Sequence, residues 1–202
     1  MTSTPISDQQ FLDEIRRSRL RKVGLSGAYL DADCELGHRL DELVKRGRGA
    51  YLWGRPGRGK TYAAACAVRL EMERRGYGLG ATDLRSERRL PARIVSTASL
   101  LSEERDGYDG GRKGAVDRAS AVGLLVLDDL GVEKATDWAV EQLTKLVDAR
   151  VNAGLPTIVT SNLSLGQLAE QWGGISGERL VSRLAGACER IEVTGVDRRL
   201  HG

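Results

Sequence analysis

The chain has 202 residues, 41% hydrophobic and 29% charged, which excludes a disordered or fibrous class and suffices for one well-buried unit rather than two. Its net charge of +3 does not by itself establish a nucleic-acid partner, and aromatics at 4% leave a core of Leu, Val, Ala and Ile, as helix-rich α/β sheets permit. Cys34, Cys66 and Cys188 lie far apart and His38 and His201 are the only histidines, so no full set of metal ligands is readable; Cys34 and His38 share a helical face but are too few alone. With no apolar signal core at the N-terminus and no segment long enough to span a bilayer, the expectation is a cytoplasmic protein without a membrane partner.

Met1 to Ser7 is polar. Asp8 is placed to cap a helix running through Lys22, in which Phe11, Leu12, Ile15 and Leu20 give partial helical periodicity. Arg16, Arg17, Arg19, Arg21 and Lys22 make its end basic, either as a solvated cover or as a contact surface for a partner or nucleic acid. Residues 1–23 are read as a short basic N-terminal helix or arm and 24–202 as the main domain. Val23 to Leu30 reads as a connecting loop, and a second helix is expected from about Cys34 to Lys45.

Ala50-Tyr51-Leu52-Trp53 then supplies a buried strand, and it runs into Gly54-Arg55-Pro56-Gly57-Arg58-Gly59-Lys60-Thr61. This stretch fits the phosphate-binding pattern G-x-x-x-x-G-K-[ST] at every fixed position. The glycines free the backbone to turn successive amide N–H groups onto phosphate oxygens. Lys60 would reach the β- and γ-phosphates, and Thr61 would offer its hydroxyl to Mg²⁺ while opening a helix whose positive end faces the anion. That helix begins around Tyr62, carries an alanine-rich apolar face and runs to about Arg75, with Gly76 ending it.

From Gly76 to Leu90 the chain is a loop rich in glycine and arginine, including Arg85, Arg88 and Arg89. Ala92 to Ser96 reads as a short strand, Thr97 or Ser99 as the cap of the next helix, and Asp106 to Gly111 as a turn. Val122 to Asp129 is an apolar run ending in two carboxylates. A run apolar on both faces is a central parallel strand, and acids at its C-terminal end lie where such sheets bind ligands. Asp128 would hold Mg²⁺, and Asp129 would orient or deprotonate an attacking water.

A long amphipathic helix is expected from about Ala135 to Asn152, followed by a buried strand from Leu155 that finishes at Asn162. Asn162 offers both a donor and an acceptor, either to hold the attacking water or the γ-phosphate or only to satisfy the turn into a helix near Ser164. Gly177 to Leu184 places Arg179 and Arg183 on one helical face, and Ile191 to Val193 makes a last strand.

Taken together, Gly54 to Thr61, Leu124-Leu-Val-Leu-Asp-Asp-Leu-Gly131, Thr160-Ser-Asn-Leu163 and Gly177-Glu-Arg-Leu-Val-Ser-Arg-Leu184 resemble the DnaC and DnaI type helicase-loader family of AAA+ ATPases, with IstB-like ATP-binding proteins as near relatives. The resemblance runs from roughly Gly24 to Arg199. It implies an α/β P-loop NTPase fold of the AAA+ three-layer type, with a five-stranded parallel sheet in the order 5-1-4-3-2. ATP and Mg²⁺ would bind at a site completed between protomers of a homo-oligomer. The implied nucleotide-binding set is Gly54, Arg55, Pro56, Gly57, Arg58, Gly59, Lys60, Thr61 and Tyr62, with Thr61 and Asp128 as metal ligands. Lys60, Asp129, Asn162 as first sensor and Arg183 as arginine finger would be catalytic, Arg179 being the alternative finger. Asp129 is shorter than the glutamate many AAA+ enzymes carry, so the expected ATPase is slow or DNA-stimulated. The implied role is DNA replication, with single-stranded DNA and a replicative helicase as partners. DNA would track Arg85, Arg88, Arg89, Arg112 and Lys113 by salt-sensitive backbone contacts. Two other readings stay open: an IstB-like transposition or phage regulatory ATPase, and a nucleotide-gated binding module with little hydrolysis.

Overall fold

Strand-forming runs apolar on both faces need helices on both sides of the sheet they make, and the computed structural model has that arrangement. It describes residues 8–78, 90–108, 114–132 and 136–195. Strands β1 (Gly49–Trp53), β2 (Ala92–Ser96), β3 (Leu124–Leu130), β4 (Thr157–Ser161) and β5 (Cys188–Glu192) pair in parallel in the order β2-β3-β4-β1-β5. Read from the other edge, this is the expected order 5-1-4-3-2. The central strands β3, β4 and β1 put their C-terminal ends side by side, where ligands sit in open α/β sheets.

Side chains alternate between two cores along each strand. Ala50, Leu52, Leu124, Val126 and Ile158 point into one, beneath helices α2 (Glu35–Lys45) and α3 (Lys60–Arg74). Ala63, Ala64, Ala65 and Ala67 are all buried, because the short side chain lets α3 lie close to the sheet. Leu20 and Val23 join this core from the end of α1 (Asp8–Lys22). Tyr51, Leu125, Leu127 and Val159 point into the other core. That side is covered by α4 (Thr97–Tyr108), α5 (Ala115–Ser120), α6 (Asp137–Asn152), α7 (Leu165–Trp172) and α8 (Gly174–Ala187).

Several local expectations change. Part of the predicted loop before Leu30 is a tight helical turn, Gly27–Asp31. The cap of α4 is Ser96, whose hydroxyl accepts the Ser99 N–H at 3.1 Å, so Thr97 is already helical. Asp106 and Gly107 belong to α4 rather than to a turn, the helix winning over the local turn chemistry. Short α5 has no counterpart in the sequence reading; at six residues it is too brief to show a helical period. Cys34 caps α2 through its sulfur instead of lying within the helix. Met1 to Ser7, Arg85, Arg88, Arg89, Arg112, Lys113, Arg198, Arg199, Leu200 and His201 lie outside the described residues. Among those described, no helix is long and apolar enough to cross a membrane.

Candidate active site

Leaving β1, the chain turns through Gly54, whose φ of +141° brings it so near β5 that a Cβ there would lie 2.5 Å from the Val193 carbonyl. Gly57 and Gly59 also have positive φ, and Gly59 caps α3 in the left-handed conformation. The loop therefore ends on a helix N-terminus, the geometry in which backbone N–H groups converge on an anion. Lys60 opens α3 and is 5% exposed. Its ammonium donates to the Gly54 carbonyl at 2.7 Å, to the Arg55 carbonyl at 2.9 Å and to Asn162 Oδ1 at 2.9 Å. Asn162 follows β4 directly, so two segments far apart in sequence meet at one cation.

Asp128 forms the second node. Its Oδ1 accepts from Thr61 Oγ1 at 2.9 Å and from Thr160 Oγ1 at 2.6 Å. Burial pushes the Asp128 carboxyl above the usual carboxylate range, against the hydrogen bond from Thr160, with neighbouring Asp129 adding to the rise and Thr61 and Lys60 opposing it. Thr160 is fully buried and joins the two acids: it donates to Asp128 and accepts the Asp129 backbone N–H at 3.0 Å. At Asp129 the β3–β4 register shifts between Leu127 and Leu130, and φ is +57°. A non-glycine residue in this region stores strain of roughly 1–3 kcal/mol, held here by Thr160 and by pairing on either side.

Lys60, Thr61, Asp128 and Asn162 thus come together, with Asp129 tied to them through its backbone. Tyr62 is half-buried, its hydroxyl accepting the Asp33 N–H at 3.2 Å and its ring 6.4 Å from that of Tyr29. Arg55 and Pro56 are exposed on the loop. Arg183 and Arg179 do not join this group. Both pair with Asp148 of α6. Sequence reasoning missed Thr160 and Asp148. A hydroxyl within a strand buried on both faces was the available signal for Thr160, since such a group must find a partner. Asp148 carries no comparable signal, because its role depends on α6 packing against α8.

The donors fit the groups the motifs imply. Thr61 and Asp128 share one hard-oxygen corner suited to Mg²⁺, while the glycine loop, the α3 N-terminus and Lys60 suit a polyphosphate. A separate cluster brings together Asp33, His38 and Cys66, with His38 Nε2 2.7 Å from Asp33 Oδ1. The Arg69 guanidinium lies 3.4 Å from the same oxygen, which already gives that carboxylate a counter-charge.

A sequence profile of the IstB-like ATP-binding protein family matches residues 42–202. The replicative helicase loader DnaI of Bacillus subtilis (strain 168) is 27% identical over 160 residues, covering 78% of this chain and 47% of DnaI. The chain thus spans about half the length of that curated relative. A crystal structure of DnaI superposes with a TM-score of 0.63 at 25% identity, over 92% of this chain and 93% of that one. The DnaC helicase loader gives a TM-score of 0.65 at 23% identity over 84% of this chain and 100% of that one, a likeness of fold.

Proposed function

The chain belongs to the IstB-like ATP-binding family, AAA+ proteins of the DnaC and DnaI helicase-loader type, and from that premise we propose that it hydrolyses ATP at a site shared by two copies and acts in DNA replication as a helicase loader. The observation that carries the chemistry is the joining of Lys60, Asn162, Thr61, Thr160 and Asp128 at the adjacent ends of β1, β3 and β4. The loop N–H groups and Lys60 hold the β- and γ-phosphates, Lys60 exchanging its carbonyl partners for phosphate oxygens. Thr61 and Asp128 would hold Mg²⁺, which would supply positive charge to neutralise the phosphates. Asn162 and Asp129 orient a water in line with the γ-phosphorus. Its oxygen bonds to phosphorus as the bond to the β-phosphate oxygen breaks, and a carboxylate oxygen of Asp129 takes the proton, leaving ADP and phosphate. Arg183 of a neighbouring copy stabilises the charge on the transferring group.

Single-stranded DNA and a replicative helicase are the proposed partners, and α1 suits a protein contact because Phe11 and Leu12 are 59% and 39% exposed beside its arginines. A second reading, an IstB-like transposition or phage regulatory ATPase, is compatible with the family match and would use the same nucleotide site. Turnover of ATP by wild type, Lys60→Ala and Asp129→Ala, with and without single-stranded DNA, tests the reading. The variants are expected to fall by about 100-fold or more. Wild type no faster than Lys60→Ala would leave a nucleotide-gated switch instead of an enzyme.

A further inference from the structure

Resting on the reading that Arg183 of α8 serves a neighbouring copy's site, we infer that Asp148 is the positioning residue for that arginine. Helices α6 and α8 pack side by side, and the Asp148 carboxylate lies between them with each oxygen committed to a different guanidinium. Oδ2 meets Arg179 Nη2 at 3.0 Å, and Oδ1 meets Arg183 Nε at 2.8 Å. The Asp148 side chain is 22% exposed while those of Arg179 and Arg183 are 60% and 50% exposed, so the acid is fixed and the two cations reach outward.

The atoms engaged separate the two arginines. A guanidinium recognises a phosphate through its terminal fork of amino groups. Arg179 spends a terminal nitrogen on Asp148. Arg183 meets it at Nε, nearer its stem, at 2.8 Å. The grip restricts the rotamers of a long side chain that would otherwise lose that freedom when it met a phosphate. As a stabiliser of the fold such a half-exposed pair contributes little, because water screens it. Its consequence lies in where the Arg183 fork is held. Among the described residues the ion pairs of Asp148 are with Arg179 and Arg183, so the carboxylate acts on catalysis through Arg183.

The test measures DNA-stimulated ATP turnover, KM for ATP and the melting temperature for Asp148→Ala, Asp148→Glu, Arg183→Ala and the double variant Asp148→Ala/Arg183→Ala. The expected result is a kcat about tenfold lower for Asp148→Ala with KM and melting temperature unchanged, partial recovery in Asp148→Glu, and a double variant no slower than Arg183→Ala. Wild-type kcat, or a faster one, in Asp148→Ala beside a slow Arg183→Ala overturns the role of Asp148 and leaves the shared site standing. A kcat loss that tracks a lowered melting temperature overturns it too, by showing a structural effect. Arg183→Ala turning over like wild type removes the underlying reading itself.

Discussion

Where β3 and β4 begin, Arg150 is 1% exposed and donates to the carbonyls of Ala119, Ser120, Val122, Gly123 and Pro156 and to the Thr157 hydroxyl; where they finish, Lys60 is also buried and Asp128 half-buried, but both are bonded to groups with other possible partners. Burial acts on both ends in the same sense, against charge. It lowers the Arg150 guanidinium to about 10, still far above neutral pH, and raises the Asp128 carboxyl. The difference is in the acceptors. Backbone carbonyls held by the fold leave Arg150 no capacity for a ligand, and it staples α5 to the entries of two strands. Loop carbonyls, an exposed asparagine and two hydroxyls give Lys60 and Asp128 bonds that a phosphate or a cation can replace. A buried charge with fixed partners is architecture; one with exchangeable partners is a site.

Breaking the first end should produce the largest change. Arg150→Met removes the cation and orphans buried carbonyls, so unfolding free energy should drop by roughly 3–5 kcal/mol in urea titrations, with nucleotide affinity of the folded fraction unaltered. A loss below about 1 kcal/mol would mean that water replaces the guanidinium readily.

The other end should respond in rate more than in stability. Thr160→Val removes the hydroxyl that lowers the Asp128 pKa and holds the Asp129 N–H, and turnover should fall about tenfold while Thr160→Ser keeps most of it. The sign with pH follows from the proton. A raised carboxyl binds its proton more tightly folded than unfolded, so its contribution to stability is present at low pH and is lost as pH rises through the folded value. Protonated Asp128 would be a poor ligand for Mg²⁺, so activity should fall on acidification. In Thr160→Val that acid limb should move to higher pH. An unmoved limb in the pH–rate profile would separate Thr160 from the carboxylate.

The end that holds Lys60 and Asp128 was the more legible of the two in the sequence. Glycine spacing around Lys60 and the paired acids after Val122 to Leu127 state a chemistry in one short stretch each, and the strand order followed from the family those motifs resemble. Arg150 was not legible. It occupies an ordinary position in an amphipathic helix, and its six acceptors come from two separate segments, 119–123 and 156–157, that only the folded sheet assembles. Thr160 and Asp148 were hidden for the same reason, since each acts on a residue some 30 positions away. Short α5 lacked the length to announce itself, and Ser96 took a capping role that propensity spread equally over its neighbours.

The central claim is that the site is completed by a second copy of the chain, and mixing two inactive variants tests it most directly. Lys60→Ala retains Arg183 but has a damaged phosphate loop; Arg183→Ala retains the loop but lacks the arginine. Each alone should turn over ATP at least about 100-fold more slowly than wild type with single-stranded DNA present, and an equal mixture should regain a substantial part of the rate. Wild-type turnover by Arg183→Ala alone, or a mixture as inactive as its components, would contradict the shared site.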